Sequence, residues 1–135
     1  MQKNKLFSVA IALLLNAFFT TSWVSAKHNS PPKEIAISTA FTSGAFPNLE
    51  GPFSTTGALQ ISGTVTMNVS VIGNGERLHC LLVFTTTDGT FTVQMACSPP
   101  NGRWEIVSGT GAYANLRGTG KTFMDSGESM TGVIY

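Results

Sequence analysis

The sequence predicts an all-β fold, an antiparallel meander that closes into a barrel of roughly eight strands. Apolar and polar residues alternate over much of the chain, and no long stretch carries a 3.6-residue apolar period. Thr, Val, Ser and Gly are abundant, a composition suited to pleated surfaces and turns. Asn74-Gly75 and Asp88-Gly89, two strong hairpin signals, sit in the middle of the alternating region.

The N-terminus reads differently. Lys3 and Lys5 precede a run from Leu6 to Phe19 that is apolar apart from Ser8 and Asn16, and a short polar zone ends Val24-Ser25-Ala26. A basic start, a short apolar core and small residues before a cut form a secretory signal. Residues 1–26 are therefore expected to be a signal peptide cleaved after Ala26. The apolar run falls short of the roughly 20 residues that cross a bilayer, so no membrane span is expected after cleavage. Lys27 follows the cut rather than a cysteine, which argues against a lipoprotein. The expected location is outside the cytoplasm, in the periplasm or the medium. Residues 27–33, with Pro31-Pro32, read as a flexible lead-in, and residues 34–135 as one barrel domain. Loss of Lys3 and Lys5 leaves six of the eight basic residues against seven acidic ones, a formal net charge of −1. That balance disfavours nucleic-acid binding, which needs a basic excess.

Along the domain, Glu34–Thr42 is expected as the first strand and Ser43–Phe53, with Gly44, Pro47, Gly51 and Pro52, as a loop. Ala58–Ile72 is the next long strand. Two-residue turns at Asn74-Gly75 and Asp88-Gly89 then set the register: paired positions sum to 149 around the first and 177 around the second. Val69 thus faces Cys80, and Cys80 faces Cys97 as a non-hydrogen-bonded pair, the class in which side chains approach most closely. An even cysteine count in an exported chain points the same way, to a Cys80–Cys97 disulfide. This register puts Val65, Met67, Val69, Val71, Leu78, Cys80, Leu82, Phe84, Phe91, Val93, Met95 and Cys97 on one apolar face. The opposite face is rich in Thr, Asn and Ser, with Leu81 and Val83 as exceptions; a one-residue slip would invert both faces. Pro99-Pro100 lies in a loop, Arg103–Ser108 is a strand with Trp104 and Ile106 inward, and Arg117–Met124 and Ser129–Tyr135 form a last hairpin around Ser126-Gly127. A sheet this long with few charged edges closes to remove its edges.

Chemistry-bearing motifs are sparse. Gly118-Thr-Gly-Lys-Thr122 is like the end of a phosphate loop, but Asn115 stands where that loop needs glycine, and a strand is expected where it needs a helix. Gly109-Thr-Gly111 lacks the strand–helix–strand context of a dinucleotide site. His28 falls in the lead-in and His79 on the outer face, and no His/Cys/carboxylate group has ligand spacing, so neither a metal nor a cofactor is expected. Glu105, Arg117 and Lys121 are the charged groups whose direction matters: a general acid or base must point into a sheltered site. Asn68-Val69-Ser70 is an outward-facing glycosylation sequon.

The segment from Trp104 to Gly120 resembles the strand–turn–strand signature of the allene oxide cyclase-like and dirigent-like barrels. A strand ends in Gly109-Thr110-Gly111, an aromatic follows at Tyr113, and Arg117-Gly118 opens the next strand. Gly51–Gly63 is similar to the early strands of small exported bacterial members. The resemblance implies a barrel whose interior takes an apolar or phenolic small molecule. Gly109, Gly111, Tyr113, Leu116, Arg117, Gly118 and Gly120 would be its structural motif: Tyr113 and Leu116 close one end, while Gly118 and Gly120 make room for Trp104. No motif match carries over a catalytic residue, and none is assigned.

The expected function is a non-enzymatic binding module for a small apolar ligand or a partner, with Phe84, Phe91, Trp104, Tyr113 and Phe123 lining or filling the barrel. Two alternatives stand beside it. One is a cyclase-like or stereo-directing enzyme, which needs an ionisable group inside. The other is a filled barrel acting as a surface interaction protein, with a homo-oligomer contact at Leu81 and Val83.

Overall fold

The computed structural model describes residues 31–124 and 128–135. The expected signal peptide, most of the lead-in and the Ser126-Gly127 turn lie outside the described residues. Among the described residues the strands are β1 (Lys33–Thr39), β2 (Ser43–Ala45), β3 (Asn48–Gly57), β4 (Ser62–Ile72), β5 (Arg77–Thr86), β6 (Gly89–Ser98), β7 (Asn101–Gly109), β8 (Gly118–Met124) and β9 (Glu128–Ile134). A single 3-10 turn, Gly111–Tyr113, joins β7 to β8. Each barrel strand pairs antiparallel with its neighbours from β3 through to β9, β9 pairs with β1, and β1 closes the ring on β3. The result is a closed eight-stranded antiparallel barrel with the short β2 added to β3.

The alternation that predicted strands also sets the two surfaces. Val65, Met67 and Val69 on β4, Cys80, Leu82 and Phe84 on β5, and Phe91, Val93, Met95 and Cys97 on β6 are buried, as the period-2 reading requires. Val71, near the end of β4, escapes the core and is 51% exposed. Trp104 and Ile106 are buried on β7, while Val107 is the extra residue of a bulge opposite Thr92/Val93.

The expected loop over Ser43–Phe53 is corrected: it holds the β2–β3 hairpin and half of a long strand. Glycine and proline normally punctuate strands, which hid the alternation of buried Gly51, Phe53 and Thr55 with exposed Pro52 and Ser54. The structure places Gly51-Pro52 where β3 changes partner from β2 to β1. There the Pro52 carbonyl accepts the Ala40 N–H at 3.1 Å.

The register around Asn74-Gly75 is as expected, with Val69 opposite Cys80, although the connection is a four-residue turn with positive φ at Gly73 and Gly75 rather than at Asn74. The second register is corrected. Paired positions of β5 and β6 sum to 175, so Thr86 faces Gly89 and the loop residues are Thr87 and Asp88. Cys80 therefore faces Met95, Cys97 faces Leu78, and the two cysteines are diagonal neighbours not joined by a disulfide. The shift has a tertiary cause. The Thr86 hydroxyl accepts the Asp88 N–H (3.1 Å), and the Ala112 N–H donates to the Asp88 carbonyl (3.0 Å), so the segment after β7 grips this turn. Because the shift is two residues, both cysteines keep the core face.

That grip explains the Gly-Thr-Gly segment. Gly111 has φ +58°, and a Cβ there would meet the Asp88 carbonyl oxygen. Thr110 exchanges hydrogen bonds with Thr90: its N–H donates to the Thr90 carbonyl (2.8 Å), and its hydroxyl accepts the Thr90 N–H (3.0 Å). The chain then turns Tyr113 into the barrel end, where its hydroxyl bonds to the Thr86 hydroxyl at 3.1 Å. Leu116 packs half-buried beside the core. Tyr113→Phe keeps the ring and deletes this bond; the urea midpoint should fall by the equivalent of about 1 kcal/mol.

Candidate functional site

The interior is occupied by its own side chains. The Phe84 and Phe91 rings stack at 4.7 Å between centroids, Phe53 meets Phe84 edge-on at 4.8 Å, and Tyr113 meets Phe91 at 5.5 Å. Met95, Leu82, Val65, Val93 and Ile37 fill the surrounding layers. Phe84, Phe91, Trp104 and Tyr113 thus sit where expected. Phe53, hidden in the misread loop, completes the cluster. Phe123 is corrected: it is 54% exposed on the outer wall. On β8 the inward positions are Gly118, Gly120 and Thr122, so Lys121 and Phe123 point outward.

The Trp104 indole crosses β8 and β9 from within. Its Nε1–H is shared between the Lys121 carbonyl (3.1 Å) and the Thr131 carbonyl (3.2 Å). Gly120 and Gly132 face each other below the ring, and a Cβ on either would run into it. Gly118, expected to clear Trp104, instead makes room for Ile106 and Ile134.

Among the residues whose burial is described, no Asp, Glu, His, Lys or Arg is buried. Glu105, Arg117 and Lys121 are all exposed. Every buried side-chain nitrogen and oxygen among the described residues has a hydrogen-bond partner. The polar barrel mouth formed by Thr55, Ser62, Thr86, Asp88 and Tyr113, a recess of about 400 Å³, therefore aims no unsatisfied buried group at a ligand. Gly118–Thr122 lies in strand β8, so it has no helix to hold a phosphate.

The more distinctive surface is the outer wall. Strand register aligns one outward row across seven strands: His79, Ala96, Arg103, Lys121, Thr131, Ala36 and Thr56. Three grooves open along it. The first, about 660 Å³, runs over β3, β1, β9 and β8 and includes Glu34, Thr56, Lys121 and Thr131. A second, about 510 Å³, includes His79, Gln94, Arg103, Glu105, Thr119 and Lys121. The third, about 490 Å³, includes Ala96, Ser98, Asn101, Arg103, Lys121 and Phe123. Lys121 borders all three and Arg103 two of them. The sequence raised Lys121 only as a charge that could point inward; its alignment with Arg103 across the strands depends on the whole barrel register.

Leu81, 41% exposed, and half-buried Val83 form a narrow apolar strip on β5, bordered by Asn68 and Thr66 on one side and Gln94 and Thr92 on the other. Comparison with known protein families, with curated proteins and with solved structures finds no match for this chain.

Proposed function

We propose that this protein is an exported binding module with a filled barrel, and that it recognises its ligand or partner through the outer wall. One observation carries the reading: stacked aromatic side chains occupy the interior, while the grooves meet outside at Lys121. The sequence likeness of Trp104–Gly120 to allene oxide cyclase-like and dirigent-like barrels supports kinship with them, in a form that fills the pocket. Fold kinship alone licenses no activity. The outward direction of Glu105, Arg117 and Lys121 supports this reading over an enzymatic one. The burial of Phe84, Phe91 and Trp104, each at most 2% exposed, supports it over a small apolar ligand held among them.

Titration of the purified mature protein with the apolar probe 1-N-phenylnaphthylamine tests this. No saturable fluorescence enhancement is expected; stoichiometric uptake with energy transfer from Trp104 to the probe would return the ligand to the interior. Export is checked separately. N-terminal sequencing of the secreted or periplasmic protein should begin at Lys27, and exported material still carrying Met1–Ala26 would contradict the signal-peptide reading.

A further inference from the structure

We propose that the groove over β6, β7 and β8 bounded by Arg103, Lys121, Asn101 and Phe123 binds an acidic polysaccharide. The proposal rests on the outer-wall reading and names the ligand class for it.

Arg103 and Lys121 are direct cross-strand partners, and both are exposed. Like charges in that position repel, so as a purely structural arrangement the pair is unfavourable. Among the described residues neither side chain makes an ion pair that would relieve it; Glu34 and Glu105 border the two adjoining grooves rather than this one. The lining of the Phe123 groove, among the described residues, carries two cations and no carboxylate. An anion seated between the guanidinium and the ammonium removes the repulsion and gains charge-assisted hydrogen bonds.

The rest of the groove selects the body attached to that anion. Phe123 lies two positions along β8 from Lys121 on the same outer face, its ring 54% exposed. It offers an apolar plate to the C–H face of a sugar ring. Asn101, opposite Phe123, and Ser98 supply an amide and a hydroxyl for sugar hydroxyls. Ala96 keeps the floor low between His79 and Arg103. The adjoining grooves extend the trough, one along the strands with Gln94, Thr119 and Glu105, the other along the row with Thr131, Thr56 and Glu34. A solvent-open trough with two cations at its centre, and hydroxyl and amide groups beside Glu34 and Glu105 at its flanks, suits a chain of sugars whose acidic unit sits at the cation pair. A compact apolar ligand would leave both cations unused. An acidic peptide adding as a strand would need a free sheet edge, and here β6, β7 and β8 are each paired on both sides.

The test is calorimetric titration of the mature protein with trigalacturonate, using cellotriose as the neutral control. Trigalacturonate is expected to bind at least about tenfold more tightly than cellotriose, and Arg103→Gln or Lys121→Gln should each weaken it about tenfold. Phe123→Ala should weaken both sugars, and Arg117→Gln, outside the grooves, should weaken neither. Equal affinity for the two sugars, or an Arg117→Gln loss as large as that of Lys121→Gln, would overturn the inference as non-specific attraction. Cellotriose binding lost only in Phe123→Ala would overturn the acidic ligand yet leave outer-wall recognition standing. Sugar-independent uptake of the naphthylamine probe would sink the outer-wall reading itself.

Discussion

Trp104→Ala should lower the unfolding free energy by about 3–5 kcal/mol, the range for deleting a large buried aromatic. The indole is 2% exposed and does two jobs. It fills the layer that glycines leave empty on β8 and β9, and its N–H is shared by two carbonyls of facing residues. Against a total stability of about 5–15 kcal/mol, such a loss leaves little margin, so Trp104→Phe is the safer companion. It retains most of the apolar contact and gives up the shared hydrogen bond, for an expected loss of about 1–3 kcal/mol. The reciprocal change, Gly120→Ala, should also destabilise, by about 1–3 kcal/mol or more. A Cβ there meets both the Trp104 ring and the Thr131 carbonyl. Combining Gly120→Ala with Trp104→Phe should therefore recover little, because the backbone clash stays. Full recovery in thermal melts would mean that the ring alone dictates glycine at this position.

Phe84→Ala should cost about as much, about 3–5 kcal/mol, for a different reason. Phe84 is fully buried, stacked on the face of Phe91 and edge-on to Phe53, so its removal takes away both ring contacts at once. The variant should carry an apolar void large enough for benzene. Leu82→Ala, also fully buried but outside the ring cluster, should cost about 2–5 kcal/mol and create a smaller void. Denaturant titration gives the energies. A Phe84→Ala loss under about 1 kcal/mol would show that the rings do not support one another as their geometry indicates.

How far the sequence carried these conclusions depends on whether local or tertiary forces decided each feature. The core faces of β4, β5 and β6 were legible because parity alone sets them, and parity survives even a two-residue register shift. That shift was not legible. Asp88-Gly89 looks like a self-sufficient turn, but the Thr110–Tyr113 segment, more than 20 positions on, captures the Asp88 carbonyl and moves the loop back by one residue. The cysteine pairing built on the turn moved with it. Gly51-Pro52 misled for a related reason: the pair breaks a strand in isolation, yet here it marks a change of partner within one. Phe123 was placed inside because it is large and apolar; Gly118, Gly120 and Thr122 already assign the inward parity of β8 to small residues, which leaves Phe123 outside. The outer-wall site could not be read at all. Arg103 and Lys121 lie 18 positions apart in sequence and meet only through the β7–β8 register.

The claim on which the functional reading depends is that the barrel is full and its working surface is outside. Crystals of the wild-type protein and of Phe84→Ala, both pressurised with xenon, measure this directly. A xenon atom is expected at the vacated ring position in Phe84→Ala, and none among Phe53, Phe84, Phe91 and Tyr113 in the wild type. An ordered xenon enclosed by those four rings in the wild-type crystal would contradict it and put the binding site back inside the barrel.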